Sequence, residues 1–270
     1  MVTKILYRHG PDWQLEERSA RRHFDCIDSR MKIRNGDLII PRFSALPFFC
    51  ELEKDVAEVG ARLINSRLDH EYIADLGQWY PDLADVTPRT WYELHEIPDA
   101  GPFVLKGETN SKKYNWRTHM YAEDKCAAIE VHSRLCADSL ISQQKIYVRQ
   151  YVPLRKLMDG LQGLQITNEF RFFFYETTLL SGGFYWSSHA DDLQERGVNL
   201  DSAQVPERFL NKIAGVVAEH AVYFVVDVAE TDSGDWILIE LNDGTMSGIS
   251  ENNPDVLYCN LAAVLSDKKI

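Results

Sequence analysis

Apolar and polar positions change their spacing along this chain, with helical periods frequent early and strand-like runs dense later. Lys4 to Tyr7 reads as a short strand, and a helix is expected around Trp13 to Arg22. Asn35-Gly36 marks a turn before Asp37 to Ile40, an apolar strand that Pro41 is expected to end. Leu52, Val56, Val59 and Leu63 recur at helical spacing, which predicts an amphipathic helix over Leu52 to Asn65. The first third thus reads as a small α/β lobe. Pro81, Pro88, Pro98, Pro102 and Gly101 break every pattern between Trp79 and Pro102, and this stretch is expected to connect lobes.

Phe103 to Lys106 reads as a strand, which Gly107 ends by opening a polar loop to about His119. Ala122 to Cys136 has helix-forming composition, with Ile129, His132, Leu135 and Cys136 on one side. Ile146 to Val152 is a strand stopped by Pro153. The second half is richer in strands: Phe170 to Tyr175, Leu179 to Trp186, Val222 to Val228 and Trp236 to Leu241 are dense in aromatic and β-branched residues. The turn residues Thr231 to Gly234 predict that the last two pair as a hairpin. Pro206 to His220 and Asn253 to Leu265 read as helices with proline at their starts. Strands grouped apart from flanking helices predict α+β lobes rather than one doubly wound sheet.

Composition narrows the function. A chain of 270 residues with 45% hydrophobic and 26% charged residues can bury one large core or two to three small lobes. No segment approaches the run of about 20 apolar residues that a membrane span needs. Met1 to Gly10 lacks a long apolar region with a small-residue cleavage site, so a cytoplasmic location is expected. Cys26, Cys50, Cys126, Cys136 and Cys259 form no zinc spacing, and their odd number opposes a complete disulfide framework. A net charge of -12 opposes general binding to nucleic acid. Arg21, Arg22, Arg30, Lys32 and Arg34 cluster, but Asp25 and Asp28 interrupt them, as on a solvated face.

Candidate chemistry concentrates in a few places. Asp227, Glu240 and Asn242 offer the oxygen donors that magnesium prefers, and Glu240 and Asn242, two apart on a strand, leave the same face. Glu-x-Asn alone also fits a solvated strand end. Here, however, both carboxylates interrupt strongly apolar strands, where an unpaired charge is costly. Lys106 ends the apolar run from Gly101 and is placed either to hold a phosphate or to snorkel to water. Lys112 and Lys113 could add phosphate contacts if their loop folds over a nucleotide. Arg171 sits among aromatic residues in Glu169-Phe170-Arg171-Phe172 and requires an anionic partner, either a carboxylate or a phosphate. The small-residue loop Met246 to Ser250 would lie beside a metal and suits a second substrate. No Walker-type or serine-hydrolase motif occurs.

In their order these pieces resemble the ATP-grasp superfamily over roughly Pro88 to Ser250. Its pattern has a lysine-ending strand (Phe103 to Lys106), a hinge strand (Lys145 to Val152), an arginine strand (Glu169-Phe170-Arg171), and closing strands bearing Asp227 and Glu240-x-Asn242. Ile40 to Phe48 with Leu63 to Ser66 is also similar to a branch found in phage and bacterial genomes, whose substrates are mostly unassigned. The resemblance implies an N-terminal lobe over residues 1–87 and an ATP-grasp domain over 88–270, with two α+β lobes sandwiching the nucleotide. It further implies that Lys106 and Lys113 bind phosphates, and that Gln150, Tyr151 and Val152 hold adenine. Asp227, Glu240 and Asn242 would bind one or two Mg2+ ions, and Arg171 would stabilise the transferring phosphoryl group, with Lys106 and Arg171 as the catalytic pair. The implied activity is an ATP-dependent ligase joining a small-molecule or peptide carboxylate to an amine or thiol through an acyl phosphate. A kinase and a nucleotide-binding module without turnover remain as alternatives. Two departures stand out: no acidic ribose contact follows the hinge at Pro153, Leu154 and Arg155, and the loop after Lys106 is poor in glycine.

Overall fold

The computed structural model describes residues 2–8 and 14–267; Met1, His9 and Gly10 of the N-terminal stretch, and Trp13 of the first expected helix, lie outside the described residues. The chain begins with β1 (Thr3–Tyr7), α1 (Gln14–Ala20), β2 (Asp25–Ile27), β3 (Leu38–Arg42), α2 (Phe49–Glu58), β4 (Arg62–Leu63), α3 (Arg67–Ala74) and α4 (Leu76–Leu83). The four strands make a parallel sheet in the order β2-β1-β3-β4. Every residue of β1 is buried, as expected for a parallel strand covered on both faces. Leu6, Ile39 and Leu63 meet Phe49, Leu52 and Val56 of α2 on one face. Ile5, Tyr7 and Ile40 pack on the other.

Two expectations fail in this region. The helix stops at Glu58 instead of Asn65, because Gly60 adopts a left-handed φ of 74° and turns the chain into β4. Leu63 matches the helical period only by coincidence; Val59, counted on the apolar face, is 43% exposed. Pro41 also lies inside β3, paired opposite Leu6, past the point where β4 leaves its other flank at Leu63. The stretch 79–102, expected to connect lobes, carries elements of its own: Trp79 is buried within α4 and a further strand forms before Pro102.

Next come β5 (Thr90–Trp91), β6 (Ala100–Gly107), α5 (Trp116–His119), β7 (Tyr121–Asp124), α6 (Lys125–Cys136) and β8 (Ile146–Gln150). Their antiparallel sheet has the order β5-β8-β6-β7. Phe103, Leu105 and Val148 turn one face toward Ala128, Val131 and Leu135 of α6. The buried face of this helix is rotated from the expected one, for Ile129 is 51% exposed. Asp124 fixes the true start by accepting a hydrogen bond from the Ala127 N–H at 2.9 Å. The opposite face of the sheet carries Val104, Lys106 and Arg149, with Val104 opposite Arg149.

The remainder is β9 (Lys156–Asp159), β10 (Gln165–Thr167), β11 (Glu169–Tyr175), β12 (Thr178–Phe184), α7 (Ala190–Glu195), α8 (Glu207–Val217), β13 (Tyr223–Glu230), β14 (Trp236–Asp243) and α9 (Pro254–Asp267). β9 and β10 form a two-stranded hairpin, and the last four strands form an antiparallel sheet ordered β12-β11-β13-β14, which includes the expected final hairpin. Phe170, Phe172, Phe174 and Phe224 alternate onto one face, where Leu210, Ile213, Ala214 and Val217 of α8 cover them. Full burial of each Phe, Leu, Ile or Val side chain among them contributes about 1.5–3 kcal/mol. Phe173, Tyr175, Tyr223 and Val225 occupy the other face beside α9 and the first sheet. The rest of that second face is polar.

Candidate functional site

Three strands build the polar face. Arg171 of β11 lies opposite Asp227 of β13, which lies opposite Glu240 of β14, so period-two geometry sets the three side chains in one row. The β13–β14 register shifts between Asp227 and Val228: Asp227 pairs with Glu240 but Val228 pairs with Leu238. Ile239 is therefore the extra residue of a bulge, and Ile239 and Glu240 both border the same cleft although they are adjacent in sequence.

Arg171, Lys106 and Lys113 each meet a carboxylate. Arg171, 9% exposed, donates from Nε and Nη2 to the two Asp227 oxygens at 2.8 and 2.7 Å, and from Nη1 to the Gly248 carbonyl at 2.8 Å. Asn242 donates from Nδ2 to Asp227 Oδ2 at 3.2 Å. Lys106, 6% exposed, donates to Glu240 Oε1. Lys113 forms an ion pair with Glu169 at 3.6 Å, donates to the Tyr185 hydroxyl at 2.9 Å and lies 4.1 Å from the centre of that ring. Burial opposes ionisation of Glu240, yet Lys106, Lys113 and Arg171 outweigh it and hold the carboxyl at about 2. Burial lowers Lys106 despite the pull of Glu240. Glu169 is raised, because burial outweighs the attraction of Lys113.

The cleft has a volume of about 350 Å³ and lies between the second and third sheets. Lys106, Lys113, Gln150, Tyr151, Val152 and Glu240 border it. Arg171, Asp227 and Asn242 do not; Arg171 and Asp227 hold the next positions of the row that Glu240 ends, and Asn242 lies two residues beyond Glu240 on β14. Lys112 turns away and pairs with Asp138 at 2.8 Å. The expected hinge strand ends at Gln150, two residues early, and the Gln150 and Tyr151 N–H groups donate to the carbonyls of Arg89 and Pro102 at 2.8 and 3.0 Å.

Sequence reasoning missed three groups on the wall: Arg149, the half-buried indole of Trp186, whose Nε1 is buried without a partner, and Glu169, which it weighed only as a partner for Arg171. The signal for Arg149 was present. An arginine after Tyr147-Val148 interrupts an apolar strand much as Arg171 does.

The loop after β14 is gripped from the first sheet. Arg42, fully buried, donates to Glu16 Oε1 at 2.7 Å, to the Gly244 carbonyl, and to the Ser247 carbonyl at 2.8 Å. Asp243 accepts from Asn65 Nδ2 at 2.9 Å and from the Thr245 N–H at 2.8 Å, and meets His70 Nδ1 at 3.0 Å. Among the described residues no helix is long and apolar enough to cross a membrane.

Comparison with known proteins places this geometry. The chain can be superposed on D-cycloserine synthetase DcsG with a TM-score of 0.62 at 14% identity, over 97% of this chain and 99% of that one. The D-alanine–D-alanine ligase of Bacillus anthracis complexed with ATP gives 0.58 at 11% identity over the whole of both chains. The ATP-grasp ligase PsnB complexed with a minimal precursor gives 0.59 at 11% identity, over 97% of this chain and 99% of that one. At such identities the likeness shows a shared fold. No curated protein matches the chain in sequence. A family model described as an ATP-grasp domain, family 3 of its clade, matches residues 93–261. The α+β arrangement of sheets around the cleft is thus the ATP-grasp fold, and the chain belongs to the ATP-grasp family.

Proposed function

We propose that the cleft binds ATP with magnesium, and that the protein uses it to join a carboxylate to an amine or thiol through an acyl phosphate. The observation that carries this reading is the meeting of Lys106 and Glu240 in one cleft bounded by Gln150–Val152. An ammonium group suited to phosphate and a carboxylate suited to a hard cation stand side by side, each neutralised by the other. Residues 88–270 would form the nucleotide-binding unit, and residues 1–87 the lobe that fixes the loop beside the second substrate.

The donor set fits magnesium. Asp227, Glu240 and Asn242 are oxygen donors on adjoining strand positions of one face, few enough to leave coordination sites for phosphate oxygens and water. Two of the three now face cations, Lys106 at Glu240 and Arg171 at Asp227, so positive charge is already accommodated there. When bound, the metal would neutralise charge on the β- and γ-phosphates.

The steps assigned to this chain are positioning and charge compensation. Lys106 would exchange Glu240 for a phosphate oxygen, releasing the carboxylate to the metal. Ile237 and Ile239 would flank the base, with the Val152 N–H available to it, since those of Gln150 and Tyr151 are engaged. A substrate carboxylate oxygen then attacks the γ-phosphorus, the bond to the bridging oxygen breaks, and ADP departs. Arg171, anchored by Asp227 beyond the cleft wall, would stabilise the phosphoryl group through its charge. An amine or thiol next attacks the acyl carbon, phosphate leaves with the bonding electrons, and the nucleophile's proton passes to solvent.

The test is ADP release from ATP with pools of amino acids and peptides as acids and amines. Ligation yields ADP and inorganic phosphate; a kinase would yield ADP and a stable phosphorylated product; a binding module would yield neither. Glu240→Ala and Asn242→Ala should abolish turnover, whereas Lys106→Ala should chiefly weaken nucleotide binding. Full activity in either metal-site variant would remove the assignment.

A further inference from the structure

Among the described cations on the cleft wall beside Glu240, Arg149 is the one whose guanidinium hydrogen-bonds only to neutral groups. Lys106 has Glu240 and Lys113 has Glu169. Arg149, 6% exposed, donates from Nη1 to the Ile239 carbonyl at 2.7 Å and from Nη2 to Thr87 Oγ1 at 2.6 Å, while its Nε is buried without a partner. A buried charge held by neutral dipoles is costly unless an anion completes it. Burial lowers its pKa to about 10, against the attraction of Glu240, so it remains charged at neutral pH.

Its position gives this charge a use. Arg149 stands opposite Val104, two residues before Lys106 and directly before the hinge segment at Gln150. It also holds the carbonyl of Ile239, the bulge residue that lets Glu240 enter the cleft. We infer that Arg149 is a specificity-determining residue whose uncompensated charge selects the polyphosphate of the nucleotide over its uncharged nucleoside. This rests on the nucleotide reading above and adds a residue and a discrimination to it. The preference arises because Lys106, Lys113, Arg117 and Arg149 border the cleft against only Glu169 and Glu240, so the wall carries more positive charge than its own carboxylates neutralise, an excess that rewards each negative charge a ligand brings.

The experiment measures the affinities of ATP, ADP, AMP and adenosine by calorimetry, in magnesium, for wild type, Arg149→Gln and Arg149→Lys. Wild type should bind more tightly with each added phosphate. Arg149→Gln should lose about tenfold or more for ATP, progressively less for ADP and AMP, and nothing for adenosine. Arg149→Lys keeps the charge without the planar fork and should retain most of the ATP-over-adenosine preference. It also serves if the glutamine variant does not fold. An equal loss for ATP and adenosine, or no loss, would show a purely structural arginine and overturn the inference. So would a lysine variant that has lost the preference. If wild type binds no ATP, the nucleotide reading itself falls, and this inference with it; if wild type binds and Arg149→Gln binds equally well, only the inference falls.

Discussion

The most informative perturbation is Glu240→Gln, because it separates the two tasks assigned to that carboxylate. Glu240 accepts a hydrogen bond from Lys106, and both side chains are largely buried. A phosphate oxygen that takes up Lys106 must come within roughly 5 Å of the carboxylate, since both would touch the same ammonium. At an effective dielectric of about 20, two unit charges at that distance repel by ~3 kcal/mol, or roughly a hundredfold in affinity. A cation between them removes the repulsion, so wild type should bind ATP about a hundredfold more weakly in EDTA than in magnesium. Glutamine removes both the repelling charge and the metal ligand. The ratio should collapse to within about tenfold, chiefly because metal-free binding improves. Leaving a buried cation unpaired costs ~3 kcal/mol or more. The loss of Glu240 also removes the attraction that offsets burial at Lys106, moving the ammonium toward its neutral form. The variant's melt should therefore be recorded first, and calorimetry run well below it. An unchanged magnesium-to-EDTA ratio in Glu240→Gln, or a wild type indifferent to metal, would refute the exchange.

Three further outcomes follow from buried groups elsewhere. Arg42→Met leaves the buried Glu16 without its cation and the carbonyls of Gly244 and Ser247 without the Arg42 donor, and should cost about 3–5 kcal/mol in urea denaturation; a loss under about 1 kcal/mol would show that the loop is not held this way. Burial opposes ionisation of Asp37, but Lys4 at 2.8 Å and the Arg34 N–H hold its carboxyl below the usual range. Its stabilisation is therefore full above about pH 4 and is lost as pH falls through the lower folded value. The stability gap between wild type and Asp37→Asn should narrow on acidification, and a gap that widens would be contrary. Burial pushes the Cys26 thiol up to about 11, while Cys50, Cys126, Cys136 and Cys259 are exposed. A thiol reagent near pH 8 should modify those four rapidly and Cys26 only after denaturation, as peptide mapping would show.

How much of this was legible in the sequence depended on distance along the chain. Asp227, Glu240 and Arg171 were visible as charges interrupting apolar strands, which is a local property. Their pairing was not. Whether Arg171 meets Glu169 or Asp227 is decided by the β11–β13 register, and the entry of Glu240 into the cleft by one extra residue at Ile239. Helix ends were legible where a cap was read, as at Pro206 before α8, and misread where periodicity was trusted past Gly60. The grip of Arg42, Asn65 and His70 on the loop after β14 joins residues more than 150 positions apart. No local pattern announces such a contact, since each residue alone looks like an ordinary polar side chain near a strand or helix end.

The interleaving of charges has a cause in folding. A site for a metal and a polyphosphate needs carboxylates for one and cations for the other, packed within a few ångströms, and either set alone would be expensive to bury. Placing Lys106 on Glu240, Lys113 on Glu169 and Arg171 on Asp227 lets the chain fold before any ligand arrives. The same pairing makes each ligand a poor substitute for the other. A nucleotide alone frees Lys106 but strands Glu240, and a metal alone engages Glu240 but strands Lys106. Only their joint arrival gives every charge a partner, so part of the gross binding energy goes into breaking ion pairs and reappears as mutual dependence of metal and nucleotide. Arg149 stands outside that exchange, since its hydrogen bonds go to the Ile239 carbonyl and the Thr87 hydroxyl and it has no ion pair to break before meeting an anion.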